Sequence, residues 1–525
     1  MISPAAVRSP RLVFGDERRA STSRPDRRRL VVAGAALFAG VVCALRYATL
    51  VAGHAPPGID TGNWLAFGHD LFSGPLRSGS VYPPVVPLLE LLSVRLFGLG
   101  PGVSVLATAA SLAPAAALFV VLYRQGLAAW AIGLSALVLT AASTGEATAW
   151  GGFPQLLGIG LVMVFLWRLD AVLRRRSVRG ALAAGLLLAL LLATSHLIGA
   201  YALAAGALVV AAHLCFRVPQ WGRPGRFACL GLVLLPSSAL APLYLRLART
   251  VLASVGSRQP TTGGGVKFWA SELEFTYRDA RLLWRSLLIA SLVILAFEIG
   301  RRRESLWILA ASMFAAAPLL ALATHEPRFL YLLGMPAMLS IGLWIDGLRS
   351  VAAFATVRKV AAVALTVGVA SATLSGLDLF RVQRAYYGVL RPGTLQAITW
   401  LHDASPASAV VAVSPLREAP LGWWVEGVAR RKTLYASPLQ WLNFPEERER
   451  ARTANGIFAP TFPRPEGIER VCRAGVSDVL VAKAWGGLDA AALADLRVSH
   501  PDAVAYENED AIVLSAAALG CPQAP

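Results

Sequence analysis

Asp60, in the stretch PPGIDTGNW (residues 56–64), is the residue whose type and position best suit chemistry. It closely follows the first apolar run, residues 30–52, which is long enough to cross a membrane. A carboxylate at a membrane surface can accept a proton from an attacking hydroxyl or bind a metal ion. Residue type alone leaves a structural role open, because the flanking Gly58 and Gly62 also suit a turn or a helix cap.

A second group of ionisable residues lies in the turn THEPR (324–328). Arg328 begins a late apolar run, and its guanidinium can bind a phosphate through two parallel hydrogen bonds. An arginine at this position can also extend its side chain into the lipid headgroup region without any further role. His325 and Glu326 can hold a metal ion or orient Arg328, although a histidine beside a proline turn also has a structural explanation. These residue types make the turn a candidate for binding a charged ligand.

Further aromatic and polar side chains are of types that can contact a ligand. Trp150 borders two glycines in WGGFPQ (150–155), and it can stack on a sugar face or belong to an interfacial aromatic belt. His196 is an ionisable group near the end of a predicted span, where it either serves a site or bonds a neighbouring helix. The candidate contacts to a sugar or acceptor are Trp150, Gln155, His196 and Tyr82. The candidate second acids or metal ligands are Asp70, Glu146 and Glu326.

The elements that must position these residues are membrane helices. The chain of 525 residues is 56% hydrophobic and 15% charged, and its mean hydropathy is +0.57. Soluble domains carry roughly 25% charged residues. The net charge of +18 is concentrated in short basic loops between apolar runs, and no basic face has interleaved aromatics. The pattern indicates the lipid bilayer as a partner and argues against nucleic acid. The excess of arginine over lysine is typical of high-GC bacterial genomes.

The basic loops decide the predicted topology. Residues 1–29 read as a disordered basic tail in the cytoplasm. Four basic loops lie on the same side, at residues 168–179, 217–226, 301–304 and 349–359. Alternation then requires the short run 83–98 to lie on the outer surface, as an interfacial helix within the outer loop 53–102. About eleven spans result, over residues 30–52, 103–123, 126–142, 153–168, 180–196, 198–216, 227–246, 285–300, 305–323, 328–348 and 360–379.

The composition changes after residue 380. Strand-like runs such as SAVVAVSP and VSDVLVAKA alternate with polar, helix-compatible stretches. We predict a transmembrane domain over residues 30–380 and a small extracytoplasmic α/β domain over residues 381–525. Cys472 and Cys521 would be the only cysteines in an external, oxidising domain, so we predict a disulfide between them.

The arrangement of these motifs resembles the GT-C superfamily of integral-membrane glycosyltransferases, among them mannosyl- and arabinosyltransferases that use polyprenyl-phosphate sugars. Its members are similar in a first outer loop with an acidic residue, here Asp60. A Tyr/His-Pro-Pro motif follows, here Tyr82–Pro84, and opens an amphipathic run that ends at Leu96–Gly98. The turn His325–Phe329 and the C-terminal ending Val504–Leu514 also look like members of that superfamily. The resemblance covers most of the chain as architecture and only these short motifs as sequence.

The chain also departs from that superfamily. Many members carry a paired acidic motif where this chain has Ile59–Thr61, so a second acid would have to come from elsewhere. The Trp-Trp-Asp signature of oligosaccharyltransferases is missing, and Trp423–Glu426 echoes it only loosely, which disfavours transfer of a whole oligosaccharide. Walker A, GxSxG and HExxH motifs are absent, so ATP-driven transport within this chain and serine hydrolysis lack support.

The resemblance implies a hexosyl- or pentosyltransferase at the outer face of the bacterial cytoplasmic membrane. It would move a sugar from a polyprenyl-phosphate donor to a glycan, lipid or protein acceptor. Asp60 would be the catalytic base or a metal ligand, Arg328 and His325 would hold the donor phosphate, and the cofactor would be a divalent metal such as Mg or Mn. Two other functions stay open: a transporter or flippase of lipid-linked sugars, and a non-catalytic scaffold. Transporters place ionisable groups at mid-bilayer, whereas these candidates cluster at the outer surface.

Reporter fusions test the predicted topology. Fusions at Arg176 and Arg302 should report the cytoplasm, because both positions lie in basic loops. A fusion at Pro525 should report the outer side. A cytoplasmic signal from the fusion at Pro525 would contradict the topology and the external placement of the C-terminal domain.

Overall fold

The structure is a computed structural model in which the chain is a bundle of apolar helices followed by a small α/β domain. It describes residues 25–53, 55–73, 82–175, 177–216, 225–245, 288–295, 305–324, 327–347, 355–415, 421–439, 442, 445–459, 462–485 and 488–522.

Thirteen named helices make up the described part of the helical domain. They are α1 (Pro25–Val51), α2 (Thr61–Ser73), α3 (Val85–Phe97), α4 (Leu99–Arg124), α5 (Ala128–Thr140), α6 (Ala142–Trp150), α7 (Phe153–Arg175), α8 (Val178–Thr194), α9 (His196–Phe216), α10 (Gly225–Ser238), α11 (Ser305–Thr324), α12 (Gly334–Gly347) and α13 (Ala355–Tyr386). Short helical stretches also occupy residues 241–245 and 288–295, and a 3-10 segment, Pro327–Leu333, leads into α12.

The protein is a multi-pass membrane protein by the length and apolarity of these helices. Within the described ranges, six helices are long and apolar enough to cross a membrane, and four shorter apolar helices accompany them. The six are Arg29–Val51, Leu99–Arg124, Phe153–Arg175, His196–Cys215, Leu306–Thr324 and Lys359–Tyr386. The predicted span 285–300 is described only over residues 288–295, where it is helical. The number of eleven spans stays a prediction.

Helix α3 forms where the sequence predicts an interfacial helix. One of its faces is buried through Val86, Glu90 and Ser93, against α2 and α4. The opposite face exposes a row of large apolar side chains: Leu88, Leu89, Leu92, Leu96 and Phe97. This division is what a helix on a membrane surface requires, and its location at that surface stays a prediction.

Two buried charged groups inside the bundle, Asp170 and Arg46, make contacts between helices. Asp170 of α7 accepts hydrogen bonds from Arg174, one turn later, and contacts the ring of His213 of α9 at 3.0 Å. Arg46 of α1 is almost fully buried, donates to the carbonyl of Leu139 at 2.6 Å, and lies over the ring of Phe380. A buried charge without a partner costs several kcal/mol, so these contacts decide which helix faces meet.

The C-terminal domain is built on a five-stranded sheet with the strand order β2-β1-β3-β5-β4. Pairing is parallel between β1 and its neighbours β2 and β3, and antiparallel between β5 and its neighbours β3 and β4. Its elements are α14 (Pro392–Ala404), β1 (Val410–Val413), α15 (Leu421–Trp424), a π-helical turn (Val425–Ala429), β2 (Lys432–Tyr435), α16 (Pro445–Phe458), α17 (Pro465–Arg473), β3 (Asp478–Ala482), 3-10 turns at Lys483–Trp485 and Pro501–Ala503, α18 (Ala490–Ser499), β4 (Val504–Glu507) and β5 (Ala511–Ser515).

The central strands β1, β3 and β5 are buried on both faces and are mostly apolar, whereas the edge strands β2 and β4 are partly exposed. Side chains alternate along a strand. Val411 and Val413 of β1 therefore join a core shared with the helical domain, whereas Ala412 faces a second core. That second core contains Ile457 of α16 and Leu493 of α18. This shared core packs the sheet against one end of the bundle, the domain-facing end.

The element boundaries differ from the sequence pattern at both ends of the helical domain. Residues 1–24 of the predicted tail lie outside the described residues, and α1 begins at Pro25, ahead of the apolar run. Proline is favoured in the first turn of a helix, and the arginines that follow extend the helix beyond its apolar part. At the other end α13 continues to Tyr386, past residue 380.

The predicted disulfide is present. Cys472 and Cys521 are joined with their Cα atoms 4.8 Å apart, and the link ties the C-terminal end of the described chain to α17. The free cysteines of the described part, Cys43, Cys215 and Cys229, all belong to the helical domain.

Replacing both linked cysteines by serine should loosen the outer layer of the α/β domain. The disulfide closes a separation of 49 residues, which by loop entropy contributes about 4 kcal/mol. Hydrogen–deuterium exchange on the full-length protein should therefore rise in peptides covering α17 and β5. The matched control is Cys215→Ser, an exposed free thiol of α9. Equal exchange in the double variant and in this control would contradict the prediction.

Candidate active site

The segment that carries Asp60 is held against the end of α6. The backbone amides of Ile59 and Asp60 both donate to the carbonyl of Trp150, at 2.9 and 3.0 Å. Gly151 follows with a φ of +98°, and a Cβ on it would lie 3.0 Å from the hydroxyl oxygen of Thr61. Only glycine tolerates both that backbone conformation and that approach, so the two segments meet through a position that must lack a side chain.

Asp60 stands at the start of α2. Its carbonyl accepts the first helical hydrogen bonds, from the amides of Asn63 and Trp64 at 3.0 and 3.3 Å. Its carboxylate accepts from the side-chain amide of Asn63 at 3.4 Å. The indole nitrogen of Trp64 donates to the carbonyl of Gly151 at 2.8 Å. The backbone carbonyl of Asp60 thus caps the first turn of α2. Its carboxylate accepts a hydrogen bond from Asn63, which lies within the same turn of the helix.

The carboxylate of Asp60 is partly buried. Burial raises its pKa from 3.8 to about 7, and the positive charge of Arg328 acts in the opposite direction. Arg328 belongs to the 3-10 segment before α12 and is itself exposed. The same two charges also act on Tyr82, whose phenol has a raised pKa chiefly because of burial. The charge of Arg328 therefore acts on both Asp60 and Tyr82, although the three residues are far apart in the sequence.

An aromatic cluster forms beside these charges. The ring of Tyr82 lies 4.7 Å from Trp64 and 5.2 Å from His196, measured between ring centroids. Phe67, one turn beyond Trp64 on α2, contacts Tyr82 and also Trp423 of α15. Aromatic faces of this kind stack on sugar rings as well as on each other. The cluster joins the start of α9, the Tyr-Pro-Pro segment and the C-terminal domain.

Glu146 of α6 is held by a tyrosine that follows α13. The hydroxyl of Tyr387 donates to its Oε1 at 2.7 Å, and this contact joins α6 to the residue after α13. Arg384 of α13 donates to the carbonyl of Ala55 at 2.8 Å. The end of α13 therefore holds both the loop that leads to Asp60 and the helix that receives it.

Two solved structures share this arrangement of helices and domain. The crystal structure of ArnT from Cupriavidus metallidurans in the apo state aligns with a TM-score of 0.59 and 14% identity, over 94% of this chain and 100% of that one. The structure of the same protein bound to undecaprenyl phosphate aligns at 0.56 and 14%, over 95% and 100%. The chain has the GT-C fold. At this identity the likeness establishes the fold, and the activity must be argued from the site.

A third structure with the GT-C fold also matches. It is the Archaeoglobus fulgidus oligosaccharyltransferase in complex with Zn and sulfate, with a TM-score of 0.48 and 15% identity over 85% of this chain and 68% of that one. No protein-family model matches the sequence, and a search of curated proteins gives no match.

The GT-C fold brings some of the predicted site residues together and separates others. Asp60, Tyr82, His196 and the Trp150 backbone meet at the domain-facing end, with Arg328 close enough for its charge to act. Asp70 lies further along α2, about 14 Å from its start at 1.5 Å per residue. There its charge acts on Glu426 of the C-terminal domain.

The remaining predicted residues have other surroundings. The indole of Trp150 folds over Gly152, where an added Cβ would clash with the ring. Gln155 is half-buried in the first turn of α7, and its side chain makes no hydrogen bond to a residue that the structure describes. His325 and Glu326 lie outside the described residues.

A divalent metal finds no complete ligand set in the part of the chain that the structure describes, since no three acidic, histidine or cysteine side chains come together there.

Two residues of the site were not predicted from the sequence. Trp64 contacts both Gly151 and Tyr82. It lies one helical turn after Asp60, so its sequence position could have identified it as a residue of the site. Tyr387 holds Glu146, but the two are 241 positions apart, and no pattern in the sequence joins them.

The raised pKa of Asp60 predicts a pH dependence of stability. The folded protein keeps a proton that the unfolded chain releases above pH 3.8, so the free energy of unfolding falls as the pH rises toward about 7 and then levels off. Replacing Asp60 by asparagine removes this titration. Between about pH 5 and 8 the melting temperature of the wild type in detergent should fall relative to Asp60→Asn.

The control for this measurement is Asp502→Asn, which neutralises an exposed carboxylate of the α/β domain. This variant should follow the wild type across the whole pH range. If wild type and Asp60→Asn show parallel pH profiles, the proton on Asp60 does not affect stability and the assignment is wrong.

Proposed function

We propose that the protein is a membrane glycosyltransferase that moves a sugar from a polyprenyl-phosphate donor to a hydroxyl of a glycan, lipid or protein acceptor. The observation that carries the proposal is the carboxylate of Asp60, which has a pKa near 7 and lies within the field of the Arg328 guanidinium. One group is poised to take a proton and the other to balance the charge of a phosphate.

Asp60 would act as the general base. A base works best when its pKa is close to the working pH, because it is then both available and strong enough. Burial supplies that property here, and the hydrogen bond from Asn63 orients the carboxylate. The aromatic rings of Tyr82 and Trp64 stand beside it as a surface for the sugar or the acceptor.

Arg328 would bind the phosphate that leaves. When the acceptor oxygen attacks the anomeric carbon, the bond from that carbon to the phosphate oxygen breaks and its electron pair goes to the phosphate. The proton of the acceptor hydroxyl goes to Asp60. The negative charge of the phosphate grows in the transition state, so a fixed guanidinium stabilises that state more than the ground state. A single displacement of this kind inverts the anomeric configuration.

The polyprenyl carrier is supported by the chain's own architecture and by its structural relative. The site lies at one end of apolar helices, where a lipid phosphate would sit at the membrane surface with its chain in the bilayer. ArnT, which shares the fold, was crystallised with undecaprenyl phosphate. We place the site and the C-terminal domain on the extracytoplasmic face of a bacterial cytoplasmic membrane, with the N-terminus in the cytoplasm.

Asp60→Asn and Arg328→Gln separate the two roles. The asparagine keeps the shape but removes the base, so transfer should fall by about 10²-fold or more while binding of undecaprenyl phosphate survives. The glutamine removes the cation, so binding of undecaprenyl phosphate should weaken by about tenfold or more. Each variant is expressed in a strain that lacks the gene, and mass spectrometry of the cell-envelope glycans of that strain measures sugar transfer. Native mass spectrometry of the purified protein measures binding of undecaprenyl phosphate.

The controls are Asp502→Asn and Arg473→Gln, which make the same charge changes at exposed positions of the α/β domain. The wild-type transfer rate should also rise with pH through an apparent pKa of about 7. Envelope glycans that are unchanged by Asp60→Asn would exclude the transferase mechanism and favour a transporter or a scaffold. Unchanged lipid binding in Arg328→Gln would exclude Arg328 as the phosphate ligand.

A further inference from the structure

A cavity of about 330 Å³ lies between α2, α3 and the C-terminal domain. Its apolar wall is formed chiefly by Leu65 of α2, by Leu91 and Val94 of α3, and by Val428 of the π-helical turn. None of the residues that line it is among the predicted residues of the transferase site. The cavity is therefore a separate feature of the molecule that the proposed reaction does not use.

Close backbone contacts fix the walls of this cavity. A Cβ on Gly68 of α2 would lie 2.7 Å from the carbonyl oxygen of Pro87 in α3. A Cβ on Gly427 of the π-helical turn would lie 3.1 Å from the carbonyl oxygen of Gly62 in α2. Helix α2 is thus packed at backbone distance against both neighbours, and the cavity beside it has a defined shape.

Two arginines supply the polar side of the cavity. Arg95 comes from the last turn of α3, and Arg430 follows the π-helical turn. Both are exposed, and neither makes a hydrogen bond or an ion pair with another residue in the described part of the chain. Two like charges that converge on one cavity repel each other, so an anion bound between them would be favoured.

The backbone around Arg430 is held in an uncommon conformation. Arg430 has a φ of +55°, in the left-handed region that residues other than glycine seldom adopt. The neighbouring Arg431 is buried and donates to the carbonyl oxygens of His402, Ser405 and Ala429. These bonds fix the segment on both sides, and the side chain of Arg430 is directed to the cavity as a consequence.

Two histidines also line the cavity, and neither supplies a negative charge that would neutralise the arginines. His69 of α2 hydrogen-bonds the backbone of Gly427, and its pKa is lowered to about 4, first by burial and then by the charges of Arg430 and Arg95. His402 contacts the carbonyl oxygen of Ala429 through its Nδ1 at 3.2 Å. The acids beside them in the sequence, Asp70 and Asp403, do not line the cavity. The cavity therefore presents a net positive charge on an apolar wall.

The surroundings indicate where its ligand comes from. Arg95 lies at the edge of the face of α3 that exposes large apolar residues, seven residues after Leu88 and three after Leu92. On the predicted membrane surface, an arginine beside that apolar face would extend its guanidinium into the headgroup region. The volume fits a headgroup with its first few carbon atoms and not a whole lipid.

We propose that this cavity binds the phosphate group of an anionic phospholipid, with Arg95 and Arg430 on the phosphate and the apolar wall on the adjoining carbons. The bound lipid joins α3 to the C-terminal domain at the membrane surface. This binding is independent of the proposed sugar transfer and of Asp60.

The test uses the full-length protein in nanodiscs with a phosphatidylglycerol probe that carries a photoreactive group near its phosphate. Crosslinks should map to residues 91–99 and 427–430 of the wild type, and mapping by mass spectrometry makes the result specific to this site. The variant Arg95→Gln with Arg430→Gln should lose about tenfold of this labelling. A second variant, Val428→Trp, keeps the charge and fills the cavity, and it should lose labelling as well.

The matched control is Arg452→Gln with Arg473→Gln, which removes the same charge from exposed positions of α16 and α17. It should label like the wild type, and so should Asp60→Asn, whatever happens to sugar transfer. Three results would overturn the proposal: equal labelling of the pocket variant and the control, equal labelling by a phosphatidylcholine probe, or displacement of the lipid by millimolar inorganic phosphate, which would assign the site to a free anion.

Discussion

Two backbone hydrogen bonds, from the amides of Ile59 and Asp60 to the carbonyl of Trp150, hold the start of α2 against the end of α6. The approach is possible because Gly151 has no side chain that would meet Thr61. Backbone hydrogen bonds, and not side-chain contacts, therefore fix the position from which the Asp60 carboxylate extends. Its burial and its raised pKa follow from this docking.

Helix α2 transmits the same constraint to the C-terminal domain. Gly68 of α2 allows α3 to approach on one side, and Gly62 of α2 with Gly427 of the π-helical turn allows the C-terminal domain to approach on the other. Phe67 and Trp423 then pack in one core that is shared by the bundle and the sheet. A change in the position of the α/β domain would therefore move α2 and with it the site. This coupling is a physical reason to regard the C-terminal domain as an integral part of the protein rather than an appendage.

Much of this fold could be predicted because its signals are local. Long apolar runs must be helical in a membrane, since backbone groups have no other partner there. The amphipathic run of α3 and the alternating runs of the sheet are equally local, and the Cys472–Cys521 disulfide follows from their being the only cysteines of their domain. Part of the site could not be predicted. The bond between Tyr387 and Glu146 joins helices 241 positions apart, and nothing in either segment specifies the other.

Hydrophobicity and residue type act over a few positions, so the membrane helices, the α/β domain and the candidates Asp60 and Arg328 could be predicted from the sequence alone. The tertiary structure sets the acidity of Asp60, since a pKa depends on how much water the surrounding protein removes. It also decided that Asp70 faces the C-terminal domain, where its charge acts on Glu426. The cavity between Arg95 and Arg430 is of the same kind: two cations 335 positions apart (430 − 95) share one site only because α2 packs between the helices and turns that carry them.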